Sequence, residues 1–260
     1  MPIDFHDPNN RWTYTTREAD PTWSAFIRAN ADVSNKRVAD IGCGGGIYTK
    51  ALFQMGASHV MGVDFSEEML KAAANNCKDI PNAAFLKGDA YQTNLPANEV
   101  DIVLERALIH HLNDLEACFK EAHRIMKAGG VLIIQDRTPD DGLLPGDEHH
   151  LRGYFFERFP GLKGKEITRR HDSGQVQHAL ESAGFRLVHT ARLWETRREY
   201  KNQEELAADL LRRTGRSILH ELNDEELQEL VSFIARKLET TPPPIVEKDA
   251  WTVWLATKQA

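Results

Sequence analysis

The stretch Arg37–Ile47, RVADIGCGGGI, decides the fold class of this chain. Its first residues, 37–41, have the alternating pattern and the β-branched side chains of a buried strand. The apolar positions of 48–55 then follow helical spacing. The glycines between them permit positive φ angles and let a ligand approach the backbone closely. Because this turn ends at a helix N-terminus, it favours an anionic or carboxylate-bearing ligand. The sequence therefore predicts a strand, a ligand-binding turn and a helix in succession.

A second acid follows at the spacing of a ribose-binding carboxylate. Asp64 closes the apolar run 59–63 and lies about 20 residues beyond the glycines, so a ligand that carries a ribose is predicted. A nicotinamide-dependent dehydrogenase would need glycine at position 47 to complete G-x-G-x-x-G, and the residue there is Ile47. An NAD-dependent oxidoreductase is therefore a disfavoured alternative.

Three short motifs together resemble the class I S-adenosylmethionine-dependent methyltransferases of the small-molecule type. They are D-I-G-C-G-G-G at 40–46, V-D at 63–64 and G-D-A at 88–90. The similarity is close over roughly 36–137 and resumes at 173–194 and 251–258. The resemblance implies an α/β fold with a Rossmann-like, doubly wound, seven-stranded sheet whose last strand is antiparallel. It also implies S-adenosyl-L-methionine as cofactor and methyl transfer to an acceptor as the activity.

The resemblance assigns cofactor roles to residues at the ends of the predicted strands. The glycines let the backbone approach the cofactor, Asp64 takes the ribose hydroxyls, and Asp89 and Ala90 recognise adenine. Asp40 orients the loop or meets the methionine amino group. The predicted cofactor-binding residues are Tyr14, Asp40, Gly42, Gly44, Gly46, Asp64, Phe65, Asp89, Ala90, Glu105 and Arg106.

Some of these roles have alternatives in the sequence itself. Asp89 could instead be a turn-forming aspartate that bonds its own backbone. Glu105 and Arg106 bring charge close to the cofactor, and either they bind its amino acid end or they pair with each other. Tyr14 is predicted to cover the cofactor, whereas the alternative for the N-terminal aromatic residues is packing against the sheet edge.

A pair of histidines follows the fourth predicted strand. The run VDIVL at 100–104 is apolar enough to be buried on both faces, and it delivers the pair to the sheet edge where ligands collect. The segment A-L-I-H-H-L-N-D resembles a pattern frequent in the family, and His111 is predicted to lie nearer the active site than His110. Because the pKa of histidine lies near neutrality, His111 is predicted as a general base. The alternative is a structural histidine that caps the following helix.

Two segments interrupt the alternation of strands and helices. Residues 1–35 are predicted as an N-terminal flap and helix, 36–195 and 249–260 as the cofactor-binding core, and 137–172 and 196–248 as insertions that form an acceptor-side cap. Long insertions of this kind are usually functional or mobile. The aromatic residues predicted to line the acceptor pocket, or else to pack in a lid, are Tyr154, Phe155, Phe156 and Phe159.

The second insertion is rich in basic residues. It is predicted to contain two amphipathic helices, 203–211 and 224–238. The basic side chains are interpreted mainly as a solvated helix face because acids are interleaved, with a phosphate-bearing acceptor as the alternative. These residues are Arg197, Arg198, Lys201, Arg212, Arg213 and Arg216.

Composition places the chain among globular proteins. A length of 260 residues with 41% hydrophobic residues suffices for a substantial core, and no run reaches the roughly 18 apolar residues of a membrane helix. The N-terminus lacks the features of a signal peptide. The three cysteines are widely spaced and suggest neither a disulfide framework nor a metal cluster, so a cytoplasmic location is expected.

A net charge of -7 disfavours general nucleic-acid binding. The predicted partner is therefore a small-molecule methyl acceptor, with no nucleic acid, membrane or metal. The acceptor atom stays open between oxygen, nitrogen, carbon and sulfur. A non-catalytic regulatory protein that binds S-adenosylmethionine or a nucleotide is the main functional alternative, because its pocket would have the same sequence.

Overall fold

The structure is a computed structural model that describes residues 18–259. Tyr14, predicted to cover the cofactor, lies outside the described residues. The described chain divides into two compact units. The sheet unit comprises 18–136, Ser173–Leu193 and 252–259, and the insertion unit comprises Arg137–Asp172 and Trp194–Trp251.

One seven-stranded sheet has the strand order β3-β2-β1-β4-β5-β7-β6. The strands β1 to β5 pair in parallel, whereas β7 pairs antiparallel with β5, with Val131 opposite Thr257 and Asp136 opposite Thr252. The predicted Rossmann-like sheet with an antiparallel last strand is therefore confirmed. The strands are β1 (Arg37–Ile41), β2 (His59–Asp64), β3 (Ala83–Lys87), β4 (Val100–Arg106), β5 (Met126–Asp136), β6 (Phe185–Tyr200) and β7 (Ile245–Lys258).

Helices cover both faces of the sheet in the sheet unit. They are α1 (Pro21–Asn30), α2 (Ile47–Gln54), α3 (Glu67–Asn76), α4 (Leu115–Ile125) and α8 (Ser173–Ser182). Alternation along β4 turns Val103 toward Phe119 of α4 on one face and Ile102 toward Leu52 of α2 on the other. The helices that follow β1 and β4 therefore lie on opposite faces of the sheet.

The helices of the insertion unit enclose a separate apolar core. They are α5 (Pro139–Gly142), α6 (Arg152–Arg158), α7 (Leu162–Thr168), α9 (Gln203–Leu211) and α10 (Asp224–Lys237). Three of the aromatic residues proposed from sequence to line an acceptor pocket, Tyr154, Phe155 and Phe156, are buried in this core together with leucines of α9 and α10. In the described part of the chain, no helix is both long and apolar enough to cross a membrane.

Two glycines of the insertion unit should respond to alanine in opposite ways. A Cβ atom on Gly153 of α6 would lie 2.2 Å from the backbone nitrogen of Gly146, whereas one on Gly164 of α7 would meet no atom within 4 Å among the described residues. We expect Gly153→Ala to lower the free energy of unfolding by about 1–3 kcal/mol because backbone must move. Gly164→Ala should raise it by roughly 0.5–1 kcal/mol, since alanine favours the helix. Urea denaturation measures both, and equal effects would contradict the close approach at Gly153.

Candidate functional site

The loops after β1 and β4 meet at the carboxyl edge of the sheet. Ile41 and Glu105 are neighbours in the β1–β4 register. Beyond them, a Cβ atom placed on Gly42 would lie 2.9 Å from Cδ1 of Leu108, so the two loops are in close contact. Because the helices after these strands cover opposite faces, the sheet reverses its winding here. Open α/β sheets bind ligands in the crevice formed at such a point.

The glycine-rich loop presents bare backbone at the start of α2. The φ angles of Gly42, Gly44 and Gly46 are 72°, 51° and 76° respectively, and residues other than glycine rarely adopt such positive values. A Cβ atom on Gly46 would lie 3.1 Å from Ala73 of α3, whereas one on Gly44 would meet no atom within 4 Å among residues 18–259. The backbone at Gly44 thus borders open space that a ligand can occupy.

Asp64 fastens this loop to the end of β2. Its Oδ2 accepts a hydrogen bond from the backbone N–H of Gly44 at 2.9 Å, and its Oδ1 accepts one from Ser66 at 2.9 Å. The side-chain hydroxyl of Ser66 in turn accepts from the N–H of Met69 and caps α3. A carboxylate at this place in the fold can bind ribose hydroxyls, since each of its oxygens can accept more than one hydrogen bond, and this role of Asp64 stays a prediction.

A shallow depression lies beside Asp64 at the ends of β2 and β3. Its volume is about 320 Å³, and its lining residues are Phe65, Lys87, Gly88, Asp89, Gln92 and Asn94. Phe65, one of these lining residues, is 48% exposed. An exposed aromatic face with polar groups around it suits a flat heteroaromatic ring.

Asp89 has the turn-forming role that the sequence offered as the alternative, and its role in adenine recognition stays a prediction. Its Oδ1 accepts hydrogen bonds from the backbone N–H groups of Tyr91 and Gln92, both at 2.8 Å, so one oxygen does shape the turn. Its Oδ2 makes no hydrogen bond to any other described residue and remains available to a ligand. The side chain of Ala90 is buried in the apolar core, and its predicted contact with a ligand would use the backbone.

Asp40 connects β1 with α2. It is buried, and the hydroxyl of Thr49 donates a 2.6 Å hydrogen bond to its Oδ2. Burial raises the pKa of Asp40 to about 6, although the hydrogen bond from Thr49 and the nearby charge of Arg106 lower it. The contact with Thr49 fixes the strand to the helix on either side of the glycines, which agrees with the loop-orienting role.

Glu105 and Arg106 turn to opposite faces of β4 and do not pair with each other. The guanidinium of Arg106 lies over the ring of Tyr48, 4.1 Å from its centroid. Glu105 is fully buried on the other face, where Sγ of Cys118 donates to its Oε1 at 3.4 Å and its Oε2 has no hydrogen-bond partner among the described residues. Burial raises the pKa of Glu105 to about 7, against a slight lowering by Cys118. Its role at the amino acid end of the cofactor stays a prediction.

Replacing Glu105 by glutamine should remove a pH dependence of stability. Because the folded-state pKa of about 7 exceeds the ordinary 4.5, the unfolded chain loses this proton first, and stability falls as pH rises from about 4.5 to 7. We expect the parent to lose up to about 3 kcal/mol of unfolding free energy relative to Glu105→Gln across this range. Urea denaturation at pH 5 and pH 8 measures the difference, and parallel pH curves for the two proteins would contradict it.

The histidine pair lies in a single 3₁₀ turn, Ile109–His111, after β4. The Nδ1 atom of His110 is 2.9 Å from both carboxylate oxygens of Asp136 at the end of β5, and the two imidazole centroids are 4.0 Å apart. Asp136 therefore binds the histidine that the sequence interpretation placed farther from the active site. Asp114, rather than a histidine, caps α4 by accepting from the N–H of Ala117.

Sequence reasoning missed Asp136, although a signal for it exists. Like Asp40 and Asp64, it is an acid at the end of an apolar strand run, here V-L-I-I-Q-D at 131–136. The sequence also missed Thr49 and Cys118, whose contacts with strand acids depend on helix docking. Within residues 18–259 no three His, Cys, Asp or Glu side chains are grouped as metal ligands, and Cys43, Cys77 and Cys118 are free thiols.

Comparison with known proteins agrees with the motifs and the sheet order. Residues 39–134 match the family model of a methyltransferase domain. The ubiquinone biosynthesis O-methyltransferase of Methylococcus capsulatus is 30% identical over 184 residues, which span 66% of this chain and 76% of that protein. The demethylmenaquinone methyltransferase of Staphylococcus saprophyticus is 31% identical over 124 residues, 46% of this chain and 53% of the relative. The chain thus spans about half the length of the second relative.

A solved structure supports the same fold. A putative methyltransferase from Bacillus halodurans superposes with a TM-score of 0.61 at 20% identity, over 91% of this chain and 98% of that one. With the family model and the Methylococcus relative, it shows that this chain belongs to the S-adenosylmethionine-dependent methyltransferase family. The methyl donor of that family is S-adenosylmethionine.

Proposed function

We propose that this protein transfers a methyl group from S-adenosylmethionine to a small-molecule acceptor at the carboxyl edge of β1 and β4. The observation that carries the proposal is the contact of Asp64 with the glycine-rich loop. A buried carboxylate there holds the N–H of Gly44 beside the start of α2, and the exposed ring of Phe65 follows it in the chain. A carboxylate suited to ribose hydroxyls, a backbone segment without side chains and an aromatic side chain thus lie together at the carboxyl edge of the sheet.

The residues of this edge fit the parts of the cofactor. The open space at Gly44 and the N-terminus of α2 suit the carboxylate of the methionine moiety, because unpaired backbone N–H groups and the helix dipole attract an anion. Asp64 would accept hydrogen bonds from the ribose hydroxyls. Phe65 and the free Oδ2 of Asp89 would bind the adenine ring and its amino group. These assignments together hold the cofactor along the ends of β1, β2 and β3.

The residues of the protein would bind and orient the methyl donor and the acceptor. They would not need to activate the donor. When bound, S-adenosylmethionine supplies an electrophilic methyl group on a sulfonium sulfur. The task left to the chain is to hold the acceptor in line with that group and to exclude water. Asp40, through Thr49, fixes the glycine-rich loop against α2, and Leu108 closes the loop from the side of β4. The turn that carries His110 and His111 follows directly and supplies polar groups for the acceptor.

The acceptor is proposed to be a small molecule. Two relatives are named for ubiquinone biosynthesis and for demethylmenaquinone, so ring compounds with hydroxyl or keto groups are the first class to test. A net charge of -7 supports a small molecule over a nucleic acid. The free, buried cysteines support a cytoplasmic location. The assignment of the insertions at 137–172 and 196–248 to acceptor binding stays a prediction.

Calorimetry and product analysis together test the function. We expect micromolar binding of S-adenosylmethionine and S-adenosylhomocysteine, with NAD run alongside as the comparison cofactor. With deproteinised bacterial extract as the acceptor source, we expect formation of S-adenosylhomocysteine. No binding by the folded protein would contradict the proposal. Tight binding without any product would favour the alternative of a non-catalytic regulatory protein.

A further inference from the structure

The loop 88–95, which follows β3 and carries Asp89, is bonded to side chains of α4. Oε1 of Glu121 accepts a hydrogen bond from the backbone N–H of Thr93 at 2.8 Å and another from its hydroxyl at 2.5 Å. Arg124, three residues further along α4, donates to both oxygens of Glu121 and to the carbonyl of Leu95 at 2.7 Å. The far end of the loop is therefore fastened to the helix by a glutamate and an arginine.

The carboxylate of Glu121 is enclosed, with 8% of its side chain exposed. A buried carboxylate is costly unless hydrogen bonds compensate it, and here two donors of Thr93 and two of Arg124 do so. Burial raises the pKa of Glu121, but the hydrogen bonds from Arg124 and Thr93 bring it below its ordinary value. Hydrogen bonds to an ionised acceptor are roughly twice as strong as neutral ones, so Thr93 is held firmly.

The constraint on Thr93 extends to Asp89 because the two ends of the loop are in contact. A Cβ atom on Gly88 would lie 2.8 Å from the carbonyl oxygen of Thr93. Between these ends, the N–H of Asp89 donates to the carbonyl of Gln92 at 3.0 Å, while Oδ1 of Asp89 accepts from the N–H groups of Tyr91 and Gln92. A shift of Thr93 would therefore move the carboxylate of Asp89 with it.

A second attachment of the loop to α4 is weaker. The hydroxyl oxygen of Tyr91 accepts from the backbone N–H groups of Asn113 and Asp114, at 3.3 and 3.4 Å, where the helix begins. These distances exceed those of good hydrogen bonds, and Tyr91 is 42% exposed. The short, buried contacts of Glu121 therefore supply most of the constraint on the loop.

We propose that Glu121 is a positioning residue that makes the site selective for adenine among purine bases, an inference that rests on the proposed function. Through Thr93 it holds Oδ2 of Asp89 where this oxygen can accept from the amino group of adenine. An ionised carboxylate can only accept hydrogen bonds. Hypoxanthine has a carbonyl oxygen in place of that amino group, so two acceptors would oppose each other and binding would weaken.

Calorimetry with S-adenosylhomocysteine and S-inosylhomocysteine tests this inference, since the two compounds differ only in the purine. We expect the parent to bind the adenosyl compound at least about 10-fold more tightly, the value of one hydrogen bond to a charged group. Glu121→Ala should remove most of this preference by weakening the adenosyl compound alone. A merely structural role of Glu121 would weaken both compounds by the same factor, so the ratio of affinities reports on the position of Asp89.

Two variants of Thr93 keep the test decisive if circular dichroism shows that Glu121→Ala does not fold. Thr93→Val removes the hydroxyl and should lower the preference for the adenosyl compound, whereas Thr93→Ser retains both donors to Glu121 and should keep the parent ratio. Glu116→Ala is the matched control, because Glu116 is also an acid of α4 but its side chain is 46% exposed and pairs with Lys120. That variant should keep the parent ratio as well.

Asp89→Ala separates the inference from the assignments on which it rests. We expect this variant to lose the preference for the adenosyl compound. If it does so while folded Glu121→Ala and Thr93→Val keep the parent ratio, the inference alone is overturned. A parent without any preference, or Asp89→Ala with the parent ratio, would overturn the inference together with the adenine assignment. Failure of the folded parent to bind either compound would instead overturn the proposed function.

Discussion

Arg216→Met is expected to lower the free energy of unfolding by about 3–5 kcal/mol, because it leaves buried carboxylates without their main partner. The side chain of Arg216 is 2% exposed. Its Nη1 donates to Asp209 at 2.7 Å, and its Nη2 donates to Glu247 at 2.6 Å and to the hydroxyl of Tyr200 at 2.8 Å. Burial alone would lower the pKa of Arg216, but the carboxylates around it, Glu247 foremost, raise it above its ordinary value. The guanidinium therefore stays charged inside the insertion unit.

Urea denaturation of the whole chain, followed by circular dichroism, measures this loss. The matched control is Arg158→Met, because Arg158 also pairs with a glutamate, Glu229, but both side chains are partly exposed. That variant should cost less than about 1 kcal/mol. Arg216→Lys separates charge from geometry, since lysine keeps the charge but cannot bond both acids with a planar fork. Equal effects of the two methionine variants would show that the buried ion network contributes no more than a surface pair.

Asp64→Ala is expected to weaken the binding of S-adenosylmethionine by at least about 100-fold, since the proposed contact with the ribose consists of two charge-assisted hydrogen bonds at roughly 1.5 kcal/mol or more each. It also removes the acceptor for the N–H groups of Gly44 and Ser66, so the glycine-rich loop loses its attachment to β2. Isothermal calorimetry measures the affinity. Urea denaturation of the same variant shows how much of the loss comes from the loop.

An isosteric variant separates these two contributions. Asp64→Asn retains one oxygen acceptor and the side-chain volume, so the fold should survive better than in Asp64→Ala while ribose binding still weakens. Asp79→Ala serves as the control, because Asp79 is an exposed acid beyond α3. Unchanged cofactor affinity in Asp64→Ala would remove the basis for placing the ribose at this carboxylate.

The sequence predicted the secondary structure best where that structure depends on residues that are close together in the chain. The segment from β1 to α2 was predicted because strand periodicity, glycine conformation and helix spacing are all local properties of 37–55. The helices α9 and α10 also lie where periodicity indicated, with α10 ending at Lys237 instead of Leu238. The order of the strands followed from resemblance to a family with a fixed topology.

Prediction from the sequence failed where the burial of a side chain depends on partners that are distant in the chain. The similarity to the family that the sequence shows over 173–194 ends at Trp194, whereas β6 continues to Tyr200 through the charged residues E-T-R-R-E. Arg197 and Arg216 are interpreted from sequence as part of a solvated helix face, yet Arg216 is buried and the side chain of Arg197 is only 11% exposed. A hydropathy pattern treats arginine as a surface residue, because it cannot detect the acids of β7, Glu247 and Asp249, that compensate these charges.

His110 and Asp136 illustrate the same limit at the candidate site. They are 26 residues apart in sequence, and only the pairing of β4 with β5 brings them together. Sequence could indicate that both stand at the carboxyl edge of a parallel sheet. It could not decide which of two adjacent histidines reaches the acid, because that choice depends on the left-handed bend at Ala107.

The attachment of Gly44 to Asp64 has a thermodynamic consequence for ligand capture. The N–H of Gly44 donates to the carboxylate of Asp64, the N–H groups of Gly42 and Cys43 donate to the carbonyl of Val63, and the side-chain amide of Asn76 in α3 donates to the carbonyl of Gly45. Because the loop is already tied to β2 and α3 in this way, its conformational entropy is lost during folding and not at the moment of binding. A ligand that finds a rigid surface retains more of its interaction energy as affinity. Association at this edge should therefore resemble docking to a preorganised receptor, with a small entropic penalty and amide hydrogen exchange at the loop already slow before the cofactor arrives.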